Sequence, residues 1–517
     1  MADVAAPSVS LRRARLSGWL RDRTILASAS AGVVVLVAIG FAVRAALAAR
    51  HATPTYLPDE YIYSELARSL ARGNGPTIRG EPASFPALLE PLLAAPLWLV
   101  GGIEVTYRLT QALHSLTAAL AAVPAYLLAR RLQLPTWLQL AAAALTLAFP
   151  ALLYTAHVVA DPVAYPFALA SVYAGVAALD RPTKKTQLAF LAVATLTSFT
   201  RVQYVVVPVA FAAAAAVVER GRIREVAVKF WPTLLVLAGS AAVVGAAGAP
   251  RLLGYYGSVT GLALDPARIG AALAVNGYGL LWASGWVLVP GAAIAIFLAL
   301  LRPRSRAESA FAAMFLFVAL ALLFEAALYA ANGELRFKER YLMSLLPLVV
   351  IAFGVFVARG LPAPRVLVAL AISTTGLSVA VPLPQLLANQ GHRDSPFVLA
   401  VSRITESVNE ETVAFAGVLV AALSIALNVA VGRSARTGPV AVVAAAATLL
   451  VAASAFAQIA SSERAARTRA TYLPQTPSWV DSAAPRGSAL LVTPGSPREL
   501  GFENLFWNRS VDDVLYL

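Results

Sequence analysis

Long apolar runs separated by short polar segments dominate the chain. About thirteen of these runs have the length and hydrophobicity of helices that cross a bilayer, which takes roughly 20 residues. They lie at residues 25–48, 109–129, 136–155, 164–179, 187–199, 203–218, 226–247, 271–300, 307–330, 341–358, 364–381, 412–431 and 438–458. The pattern therefore predicts an all-α polytopic membrane protein.

Arginine and lysine occupy every second connection between these runs. The basic connections contain Arg130 and Arg131, Arg181 with Lys184 and Lys185, and residues 220–224, 302–306, 359–365 and 433–436. Cytoplasmic loops of membrane proteins are enriched in these residues. The alternation predicts a cytoplasmic N-terminus and an extracytoplasmic C-terminus. The first run follows a basic segment, 1–24, and has no convincing small-residue cleavage site, so we interpret it as an uncleaved span.

Two of the predicted spans, 187–199 and 203–218, are short for complete crossings. They could form one long kinked helix instead, which would invert the topology of every later segment. Basic connections on both sides of the pair favour two separate spans.

Two long segments then fall on the extracytoplasmic face. The first outer loop, 49–108, contains a predicted helix at 60–72 with Asp59 as its N-cap and Gly73 as its C-cap. Its apolar stretch at 88–100 is broken by prolines, which predicts a helix lying flat on the membrane. The tail, 461–517, has strand-like runs at 479–481, 489–492 and 511–517 and predicts a small α/β segment. It stops on an apolar run, which is compatible with a longer natural protein.

Composition supports three regions: the basic terminus 1–24, a membrane domain at 25–460 and the tail. Charged residues make up 13% of the 517 residues, against about 25% in soluble domains. The absence of cysteine excludes disulfides and thiolate metal sites. Because most of the net charge of +14 follows from the cytoplasmic loops, we expect no nucleic-acid partner.

Ionisable residues concentrate on the predicted outer face. These are Asp59 and Glu60 just beyond the first span, His157 and Asp161 in the next outer loop, Arg201 in a tight turn, and Arg336 and Arg340 before a later span. Charges beside membrane spans are expensive, so their concentration on one side predicts a site there. Ordinary alternatives exist: a helix cap for Asp59, a turn residue for Asp161 and interfacial anchoring for the arginines.

Six segments, at 59–60, 84–96, 124–131, 161–166, 200–203 and 339–341, together resemble a known family. This is the GT-C superfamily, the membrane glycosyltransferases that use polyprenyl-phosphate-linked sugars. The Asp59–Glu60 pair resembles their acidic motif after the first span. SFPALLEPLLAAP at 84–96, PAYLLARR at 124–131, DPVAYP at 161–166, TRVQ at 200–203 and ERY at 339–341 are similar to segments of bacterial protein O-mannosyltransferase-like proteins of glycosyltransferase family 39. The resemblance covers roughly residues 25–360.

The resemblance implies a GT-C-like fold with an outer-leaflet cavity and an inverting sugar transfer from a lipid phosphate. Transfer requires a base for the acceptor hydroxyl and positive charge for the departing phosphate. We expect Asp59 to be the base and Glu60 to support it through a metal or the acceptor, although which acid is the base stays open. Arg201 and Arg340, with Arg336 behind them, are the predicted lipid-phosphate ligands.

Asp161, with Glu60 and His157, is the predicted site for a divalent cation, Mg²⁺ or Mn²⁺, since oxygen ligands suit these ions. An ordinary interfacial histidine is the alternative for His157. We expect no organic cofactor. Tyr61 and Tyr256 are candidates for stacking on the substrate, although aromatic residues are common at membrane interfaces without such a role.

The leading hypothesis is thus a glycosyltransferase in a bacterial plasma membrane with a cell-wall glycan, a glycolipid or a protein as acceptor. The alternative is a transporter or flippase, which should carry its charges at mid-membrane on broken helices of repeated halves. A structural membrane protein is a third reading, and it leaves the long first loop unexplained. Which sugar is transferred does not follow from the sequence.

Overall fold

The structure, a computed structural model, describes residues 29–393, 395–434, 437–484, 488–493 and 498–516. The predicted cytoplasmic segment 1–24 lies outside the described residues.

The membrane domain is built almost entirely from α-helices, as the apolar runs predict. In chain order the helices are α1 Ala29–Ala48, α2 Asp59–Ala71, α3 Leu89–Ala94, α4 Ile103–Ala119, α5 Ala122–Arg131, α6 Thr136–Thr146, α7 Asp161–Asp180, α8 Lys184–Thr200, α9 Val206–Val218, α10 Ile223–Ala247, α11 Ala249–Leu253, α12 Pro266–Ala283, α13 Val289–Leu301, α14 Arg306–Ala331, α15 Glu339–Leu342, α16 Leu346–Ala358, α17 Pro364–Ala380, α18 Pro396–Val408, α19 Glu410–Arg433 and α20 Thr437–Tyr472. The tail adds α21 Trp479–Ala483 and α22 Arg498–Trp507.

The helices form a multi-pass membrane protein. Within the described residues, eight helical segments are long and apolar enough to cross a membrane; two of them combine neighbouring helices, α4 with α5 (Ile103–Arg131) and α15 with α16 (Glu339–Ala358). The number is nine if α6 and the 3₁₀ helix Pro150–Ala156, bent by 50°, form one span. The predicted span at 271–300 differs from the structure, because positive φ angles at Gly285 and Trp286 separate α12 from α13. Arg201 has an extended backbone that ends α8, and a 3₁₀ turn, Val202–Val205, then leads into α9. The two short predicted spans are therefore separate helices.

The first outer loop contains the short strands β1 Thr77–Ile78 and β2 Glu81–Pro82, paired antiparallel, between α2 and α3. The helix predicted at 60–72 is present as α2, but the prediction that Asp59 is its N-cap is wrong. Asp59 is the first residue of α2, Pro58 precedes it, and no side chain caps this end. The apolar stretch forms α3 and a 3₁₀ turn, Ala95–Leu99, with Leu92 and Leu99 exposed, as is typical of a helix on a membrane surface.

The tail forms a β–α–β unit in which β3 Ala489–Thr493 and β4 Val511–Tyr516 pair in parallel and α22 connects them. The predicted strand at 479–481 is instead part of α21. The unit packs against the first outer loop. Arg79 donates hydrogen bonds to the carbonyl oxygens of Leu505, Asn508 and Arg509, 2.6–2.9 Å away. The loop and the tail thus hold each other in place.

The core positions α7 and α14 side by side. A Cβ atom added to Gly175 of α7 would lie 2.8 Å from Cε of Met314 in α14, so a larger residue here would require the flexible end of the Met314 side chain to move. Beside them, Phe190 of α8 stacks on Phe211 of α9 at 4.4 Å. This packing holds the four helices together at a distance from the site: Gly175 is 14 residues beyond Asp161 in α7, and Phe190 is 11 residues before Arg201.

Candidate active site

Asp161 is the most enclosed charged group of the site. It begins α7, and its side chain is 0% exposed. One carboxylate oxygen accepts a hydrogen bond from Nη1 of Arg201, and the other accepts from Nε of Arg340 at 2.6 Å. Two arginines therefore neutralise a carboxylate that would be very unfavourable alone in this environment.

Arg340 joins the two acidic positions that the sequence predicts. Its Nη1 donates to Oδ2 of Asp59 at 2.6 Å while its Nε remains on Asp161. The Arg340 guanidinium also lies 4.7 Å from the ring centroid of Tyr56, and that of Arg201 lies 5.3 Å from the ring centroid of Tyr341. The side chain of Asp59 is 34% exposed, so this carboxylate remains accessible from the cavity.

Glu60 points away from this cluster and is fully buried. Its carboxylate accepts hydrogen bonds from the backbone N–H groups of Thr55, Tyr56 and Val158 and lies 3.0 Å from Nδ1 of His157. Burial alone would raise the pKa of Glu60, but His157 and the backbone donors outweigh it and lower that pKa to about 2. Glu60 therefore ties the start of α2 to the segment that precedes α7.

A cavity of about 810 Å³ opens beside the Asp59–Arg340–Asp161 cluster. This volume suits a small organic ligand. Its wall includes Asp59, Arg201, Arg336, Lys338 and Arg340, the aromatic residues Tyr56, Tyr63, Tyr255, Tyr256, Tyr329 and Tyr341, and Glu325. One wall thus combines fixed cations, an accessible carboxylate and aromatic rings.

Comparison with solved structures identifies the fold. No family model and no curated protein matches the sequence. Among solved structures, ArnT from Cupriavidus metallidurans bound to undecaprenyl phosphate is similar with a TM-score of 0.54 and 15% identity, over 94% of this chain and 89% of that one. The apo state of ArnT is similar with a TM-score of 0.53 and 16% identity, over 92% of this chain and 85% of that one. This chain has the GT-C fold.

The GT-C fold confirms the predicted fold class over nearly the whole chain. The Archaeoglobus fulgidus oligosaccharyltransferase in the apo form is also similar, with 13% identity over 92% of this chain and 64% of that one. Its TM-score is 0.45.

Within this GT-C fold, the predicted site residues divide into two groups. Asp59, Asp161, Arg201 and Arg340 form one connected cluster, and Arg336 and Tyr256 line the cavity. Glu60, His157 and Tyr61 belong neither to this cluster nor to the wall of the large cavity. His157 borders a separate cavity of about 30 Å³, and Tyr61 packs against Phe502 of the tail at 5.9 Å and accepts a hydrogen bond from Arg79.

Four cavity residues were missed by sequence reasoning, and two of them lie on α14. Glu325 and Tyr329 of this helix line the cavity. A carboxylate inside an otherwise apolar span was a usable signal, because such residues usually face a cavity or a partner. Tyr56 and Tyr341 gave no comparable signal, since aromatic residues occur at many span ends.

The arrangement does not fit the predicted divalent cation. Both carboxylate oxygens of Asp161 accept hydrogen bonds from arginines, and Arg340 also donates a hydrogen bond to Asp59. Glu60 and His157 bind each other in a different place. In the part of the chain that the structure describes, no group of three or more His, Cys, Asp or Glu side chains is arranged to hold a metal ion. The cation stays a prediction.

Proposed function

We propose that the protein is a membrane glycosyltransferase that moves one sugar from a polyprenyl-phosphate carrier to an extracytoplasmic acceptor. The observation that carries this proposal is the bridge of Arg340 between Asp59 and Asp161, next to Arg201, in one large cavity. The shared fold supports it, because ArnT has been solved bound to undecaprenyl phosphate.

The cluster divides the chemistry between an acid and two arginines. Asp59 is the more exposed carboxylate and takes the proton of the acceptor hydroxyl. The acceptor oxygen then attacks the anomeric carbon while the bond from that carbon to the phosphate oxygen breaks. The phosphate leaves on its lipid carrying the bonding electrons, and Arg201 and Arg340 neutralise its charge.

Asp161 and Glu60 act as positioning residues in this proposal. Asp161 is inaccessible and holds the two guanidinium groups in place. Glu60 fixes the first turn of α2 and thereby the position of Asp59. The carboxylate of Glu60 already accepts hydrogen bonds from three backbone N–H groups, which supports a positioning role; its contact with a metal or the acceptor stays a prediction.

The test is reconstitution of the protein with a panel of polyprenyl-phosphate sugars and candidate glycan, glycolipid and protein acceptors. We expect sugar-dependent release of the lipid phosphate, and near-complete loss of that release in Asp59→Asn. Glu81→Gln is the matched control, since Glu81 is an exposed carboxylate of the same loop. Turnover by Asp59→Asn at the wild-type rate would contradict the assignment of the base.

An EDTA arm of the same experiment tests the cation. Unchanged turnover in EDTA would agree with a site whose positive charge comes from protein side chains alone, whereas a loss restored by Mg²⁺ or Mn²⁺ would support the predicted metal. If no donor is consumed while a lipid crosses the bilayer, the transporter alternative replaces the glycosyltransferase.

A further inference from the structure

Glu325 is a carboxylate in an apolar helix. It lies six residues before the end of α14 at Ala331, about 9 Å along the helix axis. After Glu308 in its first turn, α14 has no other charged residue. A charged side chain within a membrane span is expensive and is usually retained for a function.

Glu325 faces the large cavity, and its own protein surroundings do not satisfy it. The residue lines the cavity, and its Oε2 atom is buried without a hydrogen-bond partner among the described residues. A buried polar atom without a partner is unfavourable by about 1–3 kcal/mol. A small rotation of the side chain toward the cavity would let a ligand donate a hydrogen bond to this oxygen and remove the penalty.

The surroundings of Glu325 connect it to the proposed phosphate ligands. Tyr329 lies one helical turn further along α14, and its ring stacks on that of Tyr341 at 5.5 Å. The Arg201 guanidinium in turn lies 5.3 Å from the centroid of the Tyr341 ring. A carboxylate and two aromatic rings therefore adjoin the place where the arginines would hold the lipid phosphate.

We propose that Glu325 accepts hydrogen bonds from hydroxyl groups of the donor's sugar and so determines which sugar the enzyme transfers; this rests on the proposed function. The donor has three parts, and the isoprenoid chain offers no hydrogen bonds. The phosphate is an anion that repels a carboxylate and has two arginines of its own. The sugar hydroxyls remain as the complementary donors, and the rings of Tyr329 and Tyr341 suit the apolar face of a sugar.

Two variants test this assignment with the best donor from the wild-type panel. Glu325→Ala should lower kcat/KM about 10- to 100-fold, the range for losing a hydrogen bond to a charged group. Glu325→Gln keeps a neutral acceptor and should lose roughly 3- to 10-fold. Both variants should bind sugar-free polyprenyl phosphate within about twofold of wild type. Leu320→Ala, an exposed position on the same helix, is the control and should match wild type.

Deoxy derivatives of that donor identify the contact. With the derivative that lacks the contacted hydroxyl, Glu325→Ala and wild type should have the same kcat/KM, as in a double-mutant cycle. We expect at least one deoxy position to behave in this way. If the loss in Glu325→Ala is equal for all derivatives, the carboxylate does not contact a hydroxyl and the proposal is wrong.

Other outcomes are equally decisive. Weaker binding of sugar-free polyprenyl phosphate by both variants would assign Glu325 to the phosphate, and wild-type kinetics in both would leave it without a role in substrate binding. A large loss of thermal stability in both would make the residue structural. Each result overturns the proposal while wild-type turnover still supports a glycosyltransferase; absence of turnover in wild type itself would overturn the proposed function.

Discussion

Replacing Arg340 is the perturbation that most directly tests the site. This one side chain connects Asp59 of the first loop to Asp161 at the start of α7, and the proposed function also assigns it to the departing phosphate. Arg340→Ala removes the bridge and the charge together. Arg340→Lys keeps a charge but cannot contact both carboxylates with a planar fork.

Arg340→Ala should change both the stability of the protein and its catalytic rate. The Asp59 carboxylate is 34% exposed, so losing that pair should change stability by only about 1 kcal/mol or less. Asp161 is 0% exposed, and removing one partner of a buried pair destabilises proteins by up to roughly 3–5 kcal/mol. Because Arg201 still neutralises Asp161, we expect less than that. The catalytic loss should be about 10²- to 10³-fold, as for removing one donor that stabilises a developing anion.

The assay combines two measurements on purified protein in lipid nanodiscs. The first is kcat/KM for release of the lipid phosphate, and the second is the melting temperature. Arg403→Ala is the control, because Arg403 forms a surface ion pair with Glu463 at 3.1 Å and takes no part in the cluster. We expect Arg340→Lys to lose nearly as much activity as Arg340→Ala while losing less stability.

Two results would refute this reasoning. If Arg340→Ala folds and retains the wild-type kcat/KM, the guanidinium does not stabilise the departing phosphate. If Arg340→Lys retains the wild-type kcat/KM, a single positive charge is sufficient, and the bridge between the two acids has no catalytic role.

Three further predictions concern the groups around the site. For Glu60 the folded pKa of about 2 lies below the unfolded value of 4.5, so wild type should lose stability as pH falls from 4.5 to 2, and Glu60→Gln should lack this component in pH-dependent thermal melts. For Glu503, burial raises the folded pKa to about 8, so the stability that its protonated form contributes is lost as pH rises from 4.5 through 8. Because glutamine stays neutral, Glu503→Gln should melt at a higher temperature than wild type at pH 8. Arg79→Ala removes the donor to three tail carbonyls and should accelerate proteolysis of the tail, whereas equal cleavage rates would argue against this docking contact.

Much of the fold could be predicted because its signals are local. Apolar runs of sufficient length and basic connections are properties of short stretches, and the membrane imposes helices on them. The errors came where local signals are ambiguous. A continuous apolar run at 271–300 hid the break at Gly285 and Trp286, and the tail run 479–481 formed a helix instead of a strand.

The charged residues of the site could also be found from the sequence, but their partners could not. Arg340 is 281 residues from Asp59 and 179 from Asp161, and no local pattern relates such distant positions. Only the packing of α7 against the other helices and the path of the first loop bring the three together.

The Asp59–Glu60 pair shows the difference most clearly. The sequence alone placed two adjacent carboxylates at the end of the first span, next to a helix. Consecutive residues of an α-helix point about 100° apart, so the two side chains cannot share one environment. Tertiary packing decided that Asp59 faces the cavity and Arg340, while Glu60 is buried against His157 and the backbone of Val158.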